Sequence, residues 1–330
     1  TDGRPVFARD IKAEGAMTAL LKDAINPNLV QTMEGTPAFI HGGPFANIAH
    51  GTNSIIATRL ALSLADYVVT ETGFASDLGA EKFFDIVVRT GQVPAPAACV
   101  LVSTLRALKY HGGLKINELA NENPQAVEAG FENLRKHIEN LRIFGIPFVV
   151  ALNLFPADHQ SEIKRWTELI KQEKARYALS NVYNQGGEGG LELAAEVMKA
   201  MGEDKADFKF LYASDLPLLK KVEAIALKIY GADGIKVETA ARKKIELFEQ
   251  LGLANLPVCV AKTQASLSDD SKKLGRPRDW NLTLTNATLS SGAGFVVVHC
   301  GDIMTMPGLP KAPAAEKIDV DENGRITGMI

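Results

Sequence analysis

The 330-residue sequence has no G-x-x-x-x-G-K-[ST] and no G-x-G-x-x-G. The first absence removes the usual loop that cradles a nucleotide triphosphate, and the second removes the dinucleotide fingerprint of α/β oxidoreductases. No stretch reaches the roughly 20 apolar residues of a membrane span, and no signal peptide is recognisable, so a cytoplasmic protein without a membrane partner is expected. Cysteine is scarce: Cys99, Cys259 and Cys300 are odd in number, far apart and set in apolar or small-residue runs. That pattern excludes a disulfide framework or a zinc cluster and predicts buried thiols in a reducing compartment. Charge of one sign is also lacking, with a net charge of −3 and a pI near 6.1, which argues against nucleic acid or anionic lipid as partners. The basic runs at 241–244 and 272–273 are short enough to be solvated helix faces.

What is present is an ordinary globular composition, 46% hydrophobic and 23% charged, in a chain long enough for two or three domains. No internal repeat is visible. Apolar runs alternate with amphipathic ones. Strands are expected at 37–40, 67–70, 99–103, 147–152, 177–179, 208–212 and 256–261, with pairing between 280–289 and 294–299. Helices are expected within 1–35, then at 47–64, from Asp77 onward, and at 124–141, 160–174, 191–201, 216–230 and 238–251. Asp77 is placed to cap its helix, with Glu81 near the first turn. The β–α alternation predicts an α/β protein with a doubly wound, mostly parallel sheet over at least 36–152. A polar, Gly- and Pro-bearing stretch at 266–280 reads as a loop or hinge, and the proline-bearing tail from Met306 as extended.

Five stretches gather small backbone and polar side chains near the expected carboxyl ends of strands, where open α/β sheets bind ligands. They are TPAFIHGGPFANIAHG (36–51), ETGFASDLGAEK (71–82), VSTLRALKYHGG (102–113), NLFPADHQS (153–161) and NVYNQGGEGG (181–190). In the first, Gly42-Gly43-Pro44 forces a turn between His41 and His50, which are either ligand contacts or simply hydrogen-bonded turn residues. Arg106 and Lys109, three apart on a helical turn, suit an anion such as phosphate or carboxylate, or else face solvent as a pair. The glycines around Glu188 offer backbone N–H groups as an anion nest, although that carboxylate opposes one. Phe74, Phe155 and Tyr183 are suited to stacking on a flat heterocycle, and equally to core packing.

Taken together these motifs resemble the formate–tetrahydrofolate ligase family. Residues 102–113 match its signature V-[AS]-T-[IV]-R-A-[LV]-K-x-[HN]-G-G except at Leu105, and the runs at 36–51, DLGAEKF (77–83), GGEGGLELA (186–194) and IMTMPGLPKAPAAEKIDVD (303–321) are also similar to family stretches. The resemblance covers essentially the whole chain. It implies ATP- and Mg2+-dependent joining of formate to N10 of tetrahydrofolate through formyl phosphate, with room for a monovalent cation, in a homotetramer. It also implies a longer family chain, whose P-loop and main phosphate-binding residues precede Thr1. On that basis residues 1–150 end a large P-loop NTPase-like nucleotide-binding domain, and 151–250 and 251–330 form two smaller α/β domains. The resemblance places Phe74 and Tyr183 on either side of the pterin, with Phe155, Pro156 and Leu179 completing the pocket. The family commonly has Trp at the position of Tyr183. His41, His50, Arg106 and Lys109 remain as anion-binding or positioning residues, with no catalytic residue assigned and no metal ligand among them. The alternative expectation is a non-catalytic fragment or assembly module, inactive without the P-loop part.

Overall fold

The computed structural model of the chain describes residues 5–301, 303, 312, 316–322 and 325–328. Most of the motif at 303–321, Pro307, Pro310 and Pro313 included, lies outside them. The chain opens with α1 (Glu14–Leu21), the hairpin strands β1 (Asn28–Gln31) and β2 (Pro37–Ile40), and α2 (Ile55–Leu64). A helical run over 75–90 follows, with wide π-turns at Ser76–Ala80 and Phe83–Val87. Next come β3 (Cys99–Ser103), α3 (Leu105–His111), α4 (Pro124–Phe144), β4 (Phe148–Asn153), α5 (Gln160–Gln172) and β5 (Arg176–Ser180). The second half holds α6 (Val182–Gln185), α7 (Leu191–Glu203), α8 (Leu218–Ile225), β6 (Gly234–Val237), α9 (Thr239–Gln250), β7 (Val258–Ala261), β8 (Asn281–Ser290) and β9 (Phe295–Cys300). The described tail adds the short hairpin β10 (Asp319–Val320) and β11 (Ile326–Thr327).

The architecture is mixed α/β with two main sheets. One is parallel, in the order β3-β4-β5; the other is mixed, in the order β6-β8-β9-β7, with only the β8–β9 pair antiparallel. Local signals explain the helices that cover the parallel sheet. Thr104 caps α3 by accepting the Ala107 N–H, and Asn123 caps α4 by accepting that of Ala126. Pro124 opens α4, and Gly145 closes it at a φ of 67°. On β4 the side chains alternate: Val150 and Leu152 face the main core with Phe131 and Trp166, while Val149 packs with Ala178 and Ala200 toward α7. Both faces of β4 are thereby covered, as in a buried parallel strand.

Both sheets feed one core. Leu101, Val150 and Leu152 belong to the same buried cluster as Val260, Leu282, Leu284 and Val298. The expected seam at 150/151 falls inside β4. Cys259 and Cys300 are buried and Cys99 partly so, all three as free thiols. No helix among the described residues is long and apolar enough to cross a membrane.

Several expectations are corrected. The strand at 37–40 forms, but in an exposed antiparallel hairpin with β1, so the parallel sheet begins only at β3. Residues 67–70 are not a buried strand: Val69 is 97% exposed, and no ladder forms there apart from the neighbouring Thr52–Thr72 bridge. The helix expected over 47–64 is confined to α2, which buries only Ala57 and is not sandwiched between layers. No strand forms at 208–212, where Leu211 and Tyr212 are instead buried loop residues, and the unexpected β6 extends the second sheet.

Candidate functional site

The parallel strands end in register, Ser103 beside Leu152 and Asn153 beside Ser180, and the loops that leave them gather most of the expected site residues. Phe155 follows β4 and Tyr183 lies in α6 just after β5. Their ring centroids are 5.0 Å apart at an interplanar angle of 54°, and the Tyr183 residue is 67% exposed. The Phe155 N–H donates to Asp158 Oδ2 at 2.8 Å, which fixes the turn that holds the exposed Pro156. Leu179 sits within β5, half-buried against the main core. An exposed aromatic pair at the carboxyl edge of a parallel sheet offers a planar ring a stacking surface.

Beside β3 lies a cavity of about 200 Å³. Phe74, Asp77, Ser103, Thr104, His111 and Asn133 line it, together with His137, Gln264 and Ser266. Phe74 also stacks on Phe45 of the 36–51 loop, with centroids 6.4 Å apart. Asp77 Oδ2 meets Lys262 Nζ at 2.9 Å in the interior, so its role is an ion pair and not the helix cap expected of it. Lys262 donates further to the carbonyls of Thr263 (3.1 Å) and Ser266 (2.5 Å). His137 Nδ1 lies 2.9 Å from Ser76 Oγ and 4.0 Å from Asp77 Oδ1. His111 Nδ1 accepts the Gly275 N–H at 3.1 Å, which puts its proton on Nε2.

Burial, reinforced by His137, pushes His111 down to about 4, against a weaker pull from Asp77. Burial likewise lowers His137, partly opposed by Asp77. Both imidazoles are therefore neutral near pH 7. Gln264 Oε1 is buried without a hydrogen-bond partner among the described residues. The cavity is thus a small chamber of mostly neutral donors and acceptors, its one carboxylate, Asp77, already matched by Lys262. It suits a polar, uncharged group better than a phosphate.

The remaining expected residues have other partners. His41 bridges Ser54 Oγ (2.7 Å) and the Ala24 carbonyl (2.8 Å), which pins the 36–51 turn to its neighbours. His50 packs edge-on against Phe295 at 6.2 Å, its pKa lowered by burial and by Lys82. Arg106 is exposed, whereas Lys109 is 1% exposed and pairs with Glu162 at 2.9 Å, tying α3 to α5. The two cations are therefore not presented together to an anion. The glycine cluster does hold a carboxylate, the chain's own: the Gly187 N–H donates to Glu34 Oε1 at 2.6 Å. Glu81, expected near the first helical turn, is fully buried, and desolvation with the nearby Asp85 pushes its carboxyl well above the usual carboxylate range. Among the described residues no group of three or more His, Cys, Asp or Glu side chains is placed to hold a metal, and no cradle for a triphosphate forms around this cavity.

Sequence reasoning missed His111, His137 and Gln264 as cavity residues, and Lys262 as the partner of Asp77 in its wall. His111 alone carried a signal, because it stands in the 102–113 signature. The others reach the cavity from α4 and from the loop after β7, which no spacing in the sequence relates to Phe74. Comparison with known families agrees with the motifs: the family model described as formate–tetrahydrofolate ligase matches residues 1–330. Matched from residue 1 to residue 330, this chain belongs to the formate–tetrahydrofolate ligase family.

Proposed function

We propose that this chain supplies the folate-binding side of a ligase that joins formate to N10 of tetrahydrofolate at the expense of ATP. The observation that carries the reading is the exposed Phe155–Tyr183 pair at the carboxyl edge of the parallel sheet, with Phe74 lining the cavity beside β3, in a chain of this family. Phe74 and Tyr183 take the two faces of the pterin and orient N10, with Phe155, Pro156 and Leu179 completing the pocket. The neutral cavity groups beneath Phe74 exclude bulk water and present hydrogen bonds without adding charge.

When bound, ATP with Mg2+ and a monovalent cation would supply the activation of formate as formyl phosphate. The residues lining the cavity described above do not fit a triphosphate. A homotetramer in the cytoplasm is the assembly and location proposed with this activity. The absent P-loop motif favours one second reading, a non-catalytic module that acts only with a phosphate-binding partner. ATP-dependent formate activation by these 330 residues alone separates the two, and turnover by the lone chain would remove the second reading.

The folate reading predicts that tetrahydrofolate quenches tyrosine fluorescence. Phe74→Ala is expected to weaken its binding by about tenfold, and Tyr183→Trp to tighten it by about twofold to fivefold through added stacking area. Unchanged affinity in both variants would remove the pocket assignment.

A further inference from the structure

Two consecutive residues with β-carbons, Phe74 (φ 61°) and Ala75 (φ 63°), occupy left-handed backbone space. With its ψ of −169°, Ala75 lies in a region that glycine enters freely and alanine only under strain. Strain of this kind persists only where the surroundings over-determine the conformation, and here they do. The Gly73 N–H donates to the Gly51 carbonyl at 2.9 Å on one side of the turn. On the other side Ser76 Oγ engages His137, and Asp77 Oδ2 meets Lys262 Nζ at 2.9 Å with neither side chain open to solvent. Gly79 seals the base, because a β-carbon there would overlap the Gly73 carbonyl oxygen. The Lys262 N–H in turn donates to the Asn47 carbonyl at 3.1 Å. The residue that grips Asp77 is thereby fastened to the loop that carries Phe45, the ring on which Phe74 stacks.

We propose that the buried Asp77–Lys262 ion pair is a latch that holds the Phe74 ring in its ligand-facing position against the backbone strain at Ala75, which makes Ala75, Asp77 and Lys262 positioning residues for the stacking face. The proposal rests on the reading of Phe74 as a pterin-stacking residue. If the latch is released, Ala75 relaxes to an ordinary backbone angle and carries Phe74 with it. If the strain is removed instead, the turn has no reason to move. The two changes therefore compensate, which a merely structural ion pair would not predict.

The test uses Asp77→Asn, Ala75→Gly and the double variant in the purified protein. Amide hydrogen exchange at residues 73–76, tetrahydrofolate affinity and thermal midpoint are the three readouts. Asp77→Asn is isosteric and leaves Lys262 its two carbonyl acceptors, so the fold is expected to survive; Lys262→Gln opens the latch from the other side should it not. We expect Asp77→Asn to speed exchange at 73–76 and weaken folate binding about tenfold. Ala75→Gly alone raises the midpoint by about 2 °C and leaves affinity within about twofold. The double variant regains slow exchange and most of the lost affinity. A latch variant with exchange and affinity unchanged, a double variant no better than Asp77→Asn, or a lower midpoint in Ala75→Gly would each overturn the latch. If the parent protein does not bind tetrahydrofolate, or Phe74→Ala binds it unchanged, the folate reading fails by itself, and the exchange rates still decide whether the latch exists.

Discussion

At the scale of single residues, the cavity histidines set how the molecule responds to acid. His111 accepts the Gly275 N–H and has its pKa lowered by burial from 6.5 to about 4. Between pH 4 and 6.5 the unfolded chain therefore binds a proton at this position that the folded chain does not. The linkage sign follows: stability rises with pH across that window and is lost as pH falls through it. Asp85 works in the opposite sense. Burial, only partly offset by Arg89, raises it to about 6, so the folded state keeps its proton where the unfolded state has lost one, and stability falls as pH rises from 4 to 6. His111→Gln isolates the first effect. Urea unfolding as a function of pH is expected to show a slope between pH 4 and 6.5 smaller than in the parent by up to one proton, about 1.4 kcal/mol per pH unit. An unchanged slope would mean that His111 titrates normally in the folded chain.

At the scale of elements, the parallel sheet is covered by helices that cross closer than side chains normally permit. A β-carbon at Gly130 of α4 would overlap the Leu108 carbonyl of α3, and one at Gly112 would overlap the Ala126 carbonyl. These glycines set the α3–α4 distance, and with it the place of Thr104, Leu108 and His111 in the cavity wall. Gly130→Ala is expected to cost about 2–4 kcal/mol despite alanine's better helix propensity, measured as a loss in the urea midpoint. A stabilised variant would show that the crossing adjusts. Most of the elements were legible in the sequence. The long periodic segments at 124–144 and 160–172 formed helices, and 281–290 and 295–300 paired as expected. The misses share one cause: propensity does not reveal whether a partner strand exists. Residues 67–70 have the apolar, β-branched composition of a strand but meet no ladder, whereas the short β6, with a glycine at its start, finds β8 beside it.

At the scale of the whole molecule, both sheets drain into a single buried cluster. Each of the two tryptophans of the chain reports on one sheet, Trp166 from α5 over the parallel sheet and Trp280 from just before β8. A shared core predicts one cooperative transition. The urea midpoints of Trp166→Phe and Trp280→Phe, each followed by the remaining tryptophan, are expected to agree with one another after correction for any stability change; separated transitions would show the sheets to be independent units. The core does not cover every face. Val100 and Val102 of β3 are exposed on the side of the sheet that α7 covers on β4 and β5.

Sequence alone determined the alternation of strand and helix, the carboxyl-edge loops and the family, because these rest on local periodicity and contiguous motifs. Phe155 and Tyr183 could be named from their loops in the same way. Tertiary structure decided which of those loop residues face inward. It turned Lys109 from an anion-binding candidate into the buried partner of Glu162, and Asp77 from a helix cap into the partner of Lys262, 185 positions away. It also joined His137 and Gln264 to Phe74 around one cavity. Charge pairing and burial of this kind depend on distances across the fold, and no spacing along the chain encodes them.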